Sequence, residues 1–272
     1  MIPTIFIWPW SMNLNYIGIL TFFTYLGVAL AQGLHLFGRL AFTHRLYLIG
    51  SLLALLGHGW ILYKLIETPQ GQNLYWLCML SFTLWLMNII MVLTAFRARV
   101  ENLSALTYPL SALSLALVMH FVGSDIKDTK ADLGVLAHIF ISMFAISLLL
   151  LASLQAILMG LQNSLLKAHK PSKMLSILPP LQAMETLLFH IIWCGMLFFS
   201  GSLISGFFYQ GPLFTSHLLP KIILALCAWV LLTLLLVGRY RFGWRGPTAI
   251  RWTLSGTSFA LLSYFGTKAL LL

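Results

Sequence analysis

Carboxylates are scarce in this 272-residue chain: six Asp and Glu stand against sixteen Lys and Arg, and charged residues make up only 8% of the whole. Soluble domains carry about 25% charged and about 45–50% apolar residues, so a water-soluble globule is excluded. A pump is disfavoured as well, because proton and ion pathways rely on ionisable groups buried at mid-membrane. Cysteine is almost as sparse. Cys78, Cys194 and Cys227 lie inside apolar runs with no CxxC, no CxxCH and no metal-ligand spacing, so they read as packing residues and the chain is not itself a c-type cytochrome. No nucleophile with a base, acid–base pair or phosphate loop stands out, and the expectation is a protein that is not an enzyme.

What the chain has in abundance is apolar surface: 60% of its residues, with a mean hydropathy of +0.93. At about 20 apolar residues per crossing of a 30 Å core, the length holds roughly eight helices in a single integral membrane domain over residues 1–272. Apolar runs between charges and turn residues put the spans at Leu14 to Phe37, Leu46 to Ile66, Leu74 to Ala95, Leu103 to Val122, Leu133 to Gly160, Thr186 to Tyr209, Leu218 to Val237 and Ile250 to Leu271. Backbone groups in lipid must be satisfied within the segment, which makes each run a helix. The fold class is therefore an all-α polytopic membrane helix bundle. Met1 to Gly38 has no charged residue and no small-residue cleavage site follows, so the first helix is expected to be retained.

The net charge of +10 reads here as topology and not as nucleic-acid binding. Arg39, Arg45, Arg97, Arg99, Lys167, Lys170, Lys173, Arg239, Arg241, Arg245 and Arg251 fall on one side of the eight spans, while Glu67, Asp125, Asp128 and Asp132 fall on the other. By the positive-inside rule the basic loops are cytoplasmic and both termini external, in a bacterial inner membrane. Trp60, Tyr63, Tyr75 and Trp76 at the outer boundary, with Tyr240, Trp244 and Trp252 at the inner one, read as aromatic belts. Ser200, Gly201, Ser202, Ser205 and Gly206 read as a stripe that lets a neighbouring helix approach.

Histidine supplies the candidate chemistry. At a rise of about 1.5 Å per residue, His58 lies roughly 18 Å above the inner face and His138 roughly 21 Å, whereas His190 lies only about 8 Å up and His217 near the outer surface. A lone intramembrane imidazole is most simply a packing residue. Two at one depth, in a bundle short of carboxylates, suit the axial positions of a haem iron better than a proton relay, and a zinc site lacks a third ligand at that depth. The expected cofactor is noncovalent b-type haem held by His58 and His138, with Arg or Lys near an interface pairing with propionates. His190 and His217 are further candidates, for an inner and an external site.

Several motifs then carry a resemblance. Gly71-Gln72-Asn73-Leu74-Tyr75 with Trp85 ten residues on, Leu136-Ala137-His138-Ile139 ahead of Leu154-Gln155-Ala156, Pro220-Lys221 with Trp229, and Gly243-Trp244-Arg245-Gly246 before Tyr264-Phe265-Gly266 run in order along the chain. They resemble the GxNLYE segment, the haem-ligand helix, the DPKE region and the last helix of the cytochrome c assembly (CcsA/CcmC/HemX-like) family. The resemblance implies that His138 is a haem ligand. The family's tryptophan-rich WGxxWxWD motif has no counterpart in Tyr209 to Leu219, and no GLHSYG segment with a second external histidine follows the last span. Those departures imply an accessory or regulatory role in haem handling or cytochrome c biogenesis, with other membrane or cytochrome assembly proteins as partners. The alternative is a cofactor-free membrane regulator or scaffold; a transporter lacks the broken helices and charged midplane site it would need.

Overall fold

A computed structural model describes residues 12–41, 43–69, 71–95, 103–121, 125–127, 133–168, 178–209 and 219–266. Its described residues form eight α-helices and a small β-ribbon in two compact units, one drawn from residues 1–131 and 176–178 and the other from residues 132–175 and 179–272.

The first unit contains α1 (Met12–Leu36), α2 (His44–Ile66), α3 (Trp76–Ala95) and α4 (Ser104–His120). Each helix packs on its neighbour in the chain, and α1 closes the ring on α4. Local chemistry sets the ends. Gly38 takes φ 64 after α1, where Gly38 N donates to His35 O and Arg39 N to Leu34 O, a turn that ties back the last carbonyls. Thr43 then caps α2 by accepting from Leu46 N.

Between α2 and α3 the chain makes β1 (Glu67–Thr68) and β2 (Gly71–Asn73), and β3 (Ile126–Lys127) follows α4, all antiparallel in the order β1-β2-β3. Buried Asn73 clasps this ribbon: its side-chain oxygen accepts from Tyr75 N at 3.1 Å and Asp125 N at 3.0 Å, and Leu74 N donates to Asp125 O.

The second unit contains α5 (Leu133–Lys167), α6 (Leu181–Tyr209), α7 (Leu219–Phe242) and α8 (Pro247–Leu261), which runs into a π-turn over Leu262–Gly266. Here too each helix packs on its chain neighbour, and α8 closes on α5. The α7–α8 corner is tight because Gly243 and Gly246 adopt φ 66 and φ 52, with Pro247 opening the next helix.

Six of the eight helices, all but α4 and α8, are long and apolar enough to cross a membrane. The short two have 17 and 15 residues. α5 runs to 35 residues, about 52 Å, so the stretch from Leu161 to Lys167, expected as loop, continues the helix. The loop expected up to Glu185 likewise gives way to α6 from Leu181. Cysteine departs from expectation: Cys78 is buried, but Cys194 and Cys227 are exposed on their helices.

Candidate functional site

In the first unit His58 has no exposed surface. Its Nδ1 lies 3.1 Å from the Tyr25 hydroxyl and its Nε2 2.9 Å from Ser81 Oγ, so α1 and α3 engage both ring nitrogens. From Ser81 the contacts continue across α4. Ser81 Oγ is 3.2 Å from Ser114 Oγ, Ser114 donates to Ser111 O, and Asn88 Nδ2 donates to Ser111 Oγ at 2.7 Å. Beside them the Tyr108 hydroxyl donates to Ser51 Oγ at 2.6 Å, with the Tyr25 ring edge-on to Tyr108. A buried polar group is tolerated only when bonded. This spine joins all four helices through such groups, and Trp85, donating to Leu55 O against Gly59, adds a further α2–α3 bond.

His138 is set differently. It lies in the second turn of α5, partly exposed, and its Nδ1 is 2.9 Å from Ser205 Oγ on α6. Ser205 donates its own proton to Ser202 O at 3.1 Å. With that proton on Ser202 O, the neutral tautomer that bonds the Ser205 oxygen is the one protonated at Nδ1, whose lone pair lies on Nε2. A metal-ligating histidine needs that arrangement, with its other ring nitrogen donating to a neighbour that fixes the tautomer. Ser142 donates to His138 O and meets Ser202 Oγ at 2.6 Å, closing a serine ladder between α5 and α6.

Gly206 is part of the same seat. A methyl group there would come within 3.1 Å of His138 Cε1. The small-residue stripe thus does more than let two helices approach, since it also holds the imidazole. Lys221, at the start of α7, lies within electrostatic reach of His138. Its ammonium sits over the Tyr264 ring at 5.7 Å, and its carbonyl accepts from Ser263 Oγ.

His58 and His138 belong to different units, and each has its own partners. His190 lies exposed on α6, and His217 lies outside the described residues. Sequence reasoning did not single out Tyr25, Ser81 or Ser114, nor Ser205 and Gly206 as partners of a histidine. The signal available was hydroxyl residues at three- and four-residue spacing on apolar helices, which also fits plain packing.

Near the basic end of the second unit, Glu185 on α6 accepts from Arg239 at 2.5 Å and lies 3.7 Å from Arg245. Arg239 also stacks on Phe189. Gln155 donates to Met184 O and Trp229 to Ser200 Oγ. The conspicuous Gln155, Trp229, Trp85 and Asn73 of the sequence are thus inter-element hydrogen-bonding groups.

Six long apolar helices among the described residues, with a half-buried imidazole on α5 bonded to a hydroxyl of α6, define a multi-pass helical membrane protein. The chain belongs to the cytochrome c assembly protein family, whose model, Cytochrome C assembly protein, matches residues 46–272. It is 30% identical over 226 residues to the inner membrane protein YpjD of Escherichia coli K12, covering 82% of this chain and 86% of that protein. It is 25% identical over 205 residues to an uncharacterised 28.8 kDa protein in the nifR3-like 5' region of Azospirillum brasilense, covering 71% of this chain and 75% of that protein. No solved structure matches it.

Proposed function

We propose that this chain binds b-type haem noncovalently through His138 and acts as an accessory or regulatory protein in haem handling or cytochrome c biogenesis, in a bacterial inner membrane. The observation that carries this reading is the Ser202–Ser205–His138 chain, which directs the Nε2 lone pair away from the serine ladder. The residues fit the group: a half-buried imidazole held in one tautomer, a glycine that keeps its ring edge clear, and the Lys221 cation in reach for a propionate. Haem bound there would supply a redox-active iron. The chain's own residues orient the ligand nitrogen and balance the carboxylate charge, a binding role and not an enzymatic one in this proposal.

His58 is assigned to the frame of the first unit and not to the iron, because ligation would take one of its nitrogens from Tyr25 or Ser81. Membership of the family supports haem and assembly partners as ligands.

The test is the visible spectrum of the full chain purified in detergent after haem-supplemented expression. A Soret band that shifts on reduction and is lost in His138→Ala supports the reading. A colourless wild-type protein favours the cofactor-free scaffold.

All eight helices are proposed to span, with both termini external, on the strength of the basic residues' alternation. A reporter after Leu272 or at Ser124 should read external and one at Lys170 cytoplasmic; the reverse pattern would sink that topology.

A further inference from the structure

A groove of about 790 Å³ runs between α6 and α7, within the second unit. That volume lies in the range of about 300–1,000 Å³ typical of small-molecule sites. α6 contributes Trp193 and Leu197, and α7 contributes Trp229, Val237, Tyr240 and Arg241. Trp193, Leu197 and Tyr240 are 60%, 72% and 86% exposed, so the groove is open along its side. Trp229 satisfies its indole N–H on Ser200, leaving its ring as apolar wall.

Length and charge together point to the occupant. From Trp229 to Arg241 is about 18 Å along α7 at 1.5 Å per residue, close to the half-thickness of a roughly 30 Å core. The groove therefore matches one leaflet. Apart from the hydroxyls of Ser200 and Thr233 its wall is apolar, and it ends in a cation. Of the three arginines there, Arg239 and Arg245 share Glu185. Among the described residues Arg241 has no acidic partner. Uncompensated positive charge at the headgroup end selects an anionic amphiphile, and no histidine lines the groove to hold a metal.

We infer that the α6–α7 groove binds one anionic phospholipid, with its phosphate on Arg241 and its acyl chains along Trp193, Leu197 and Trp229.

Native mass spectrometry of the detergent-purified full chain, mixed with phosphatidylglycerol or phosphatidylcholine of identical acyl chains, tests this. One phosphatidylglycerol should be retained about fivefold more than phosphatidylcholine, the factor expected of one basic residue at a membrane surface. Arg241→Gln should bring the two lipids level, Arg241→Lys should restore most of the preference, and Arg251→Gln, outside the groove, should leave it intact. Leu197→Trp, which fills the groove from an exposed position, should lower retention of both. Equal retention of the two lipids by the wild type, equal loss in Arg241→Gln and Arg251→Gln, or co-purified haem in the groove lost on Leu197→Trp would each overturn the assignment. Because His138→Ala should leave lipid retention unchanged, this outcome is read separately from that of the haem site.

Discussion

In the first unit the His58 imidazole is enclosed, both nitrogens engaged by α1 and α3 and no ring atom exposed; in the second, the His138 imidazole is held at Nδ1 by a serine whose proton is already committed. The difference is one of satisfaction against direction. A spine of mutually bonded polar groups fixes four helices and leaves its histidine no capacity for a ligand without breaking a bond. A serine ladder ending in a glycine orients a histidine and leaves it partly exposed. Residue type is the same for the two, so chemistry follows from the neighbours.

The sharpest way to break the comparison is to delete each imidazole. His138→Ala should remove most bound haem, at least tenfold by pyridine haemochrome assay, while the helical content stays the same. Full retention of haem would mean that the ligand lies elsewhere. His58→Ala should keep the haem spectrum yet lower stability by about 1–3 kcal/mol, the desolvation penalty of a buried group left without its partner, seen as an earlier unfolding midpoint in detergent. Loss of haem with unchanged stability would invert the roles of the two histidines.

Smaller changes sharpen it. Ser205→Ala removes the acceptor that fixes the tautomer, and about 1 kcal/mol of lost hydrogen bond corresponds to roughly fivefold weaker haem retention; Ser205→Thr should recover part of it. The weakest effect is expected at Asn73→Ala, which frees two backbone donors in the ribbon. It should lower the midpoint by the equivalent of about 1 kcal/mol and leave the haem spectrum alone, since the clasp belongs to the first unit.

Much of the fold was legible in the sequence, because in a bilayer apolar length and backbone satisfaction leave few options. The eight apolar runs became eight helices with ends set by local signals such as Gly38, Thr43 and Gly246-Pro247. The β-ribbon was not legible: its strands have two or three residues, too short for any alternation to register, and a side-chain clasp from Asn73 holds them to the helix ends. The helices that carry the histidines were legible from the apolar runs, but the histidines' partners were not. Ser81 and Ser205 both look like small packing residues, and helical phase against an unknown neighbour decides which one faces a ring.

By itself, then, the sequence determined a helical membrane chain, because composition and periodicity act through local physics that every span must obey, and its ordered motifs carried the resemblance to its family. Only the tertiary structure decided that His58 is bonded at both ring nitrogens inside a four-helix core while His138 meets Ser205 through Nδ1 and stays partly exposed, and that Arg241 lies beside an open groove away from Glu185. Those properties depend on which side chains from distant parts of the chain come within hydrogen-bonding or ion-pair distance, and no single segment contains that information.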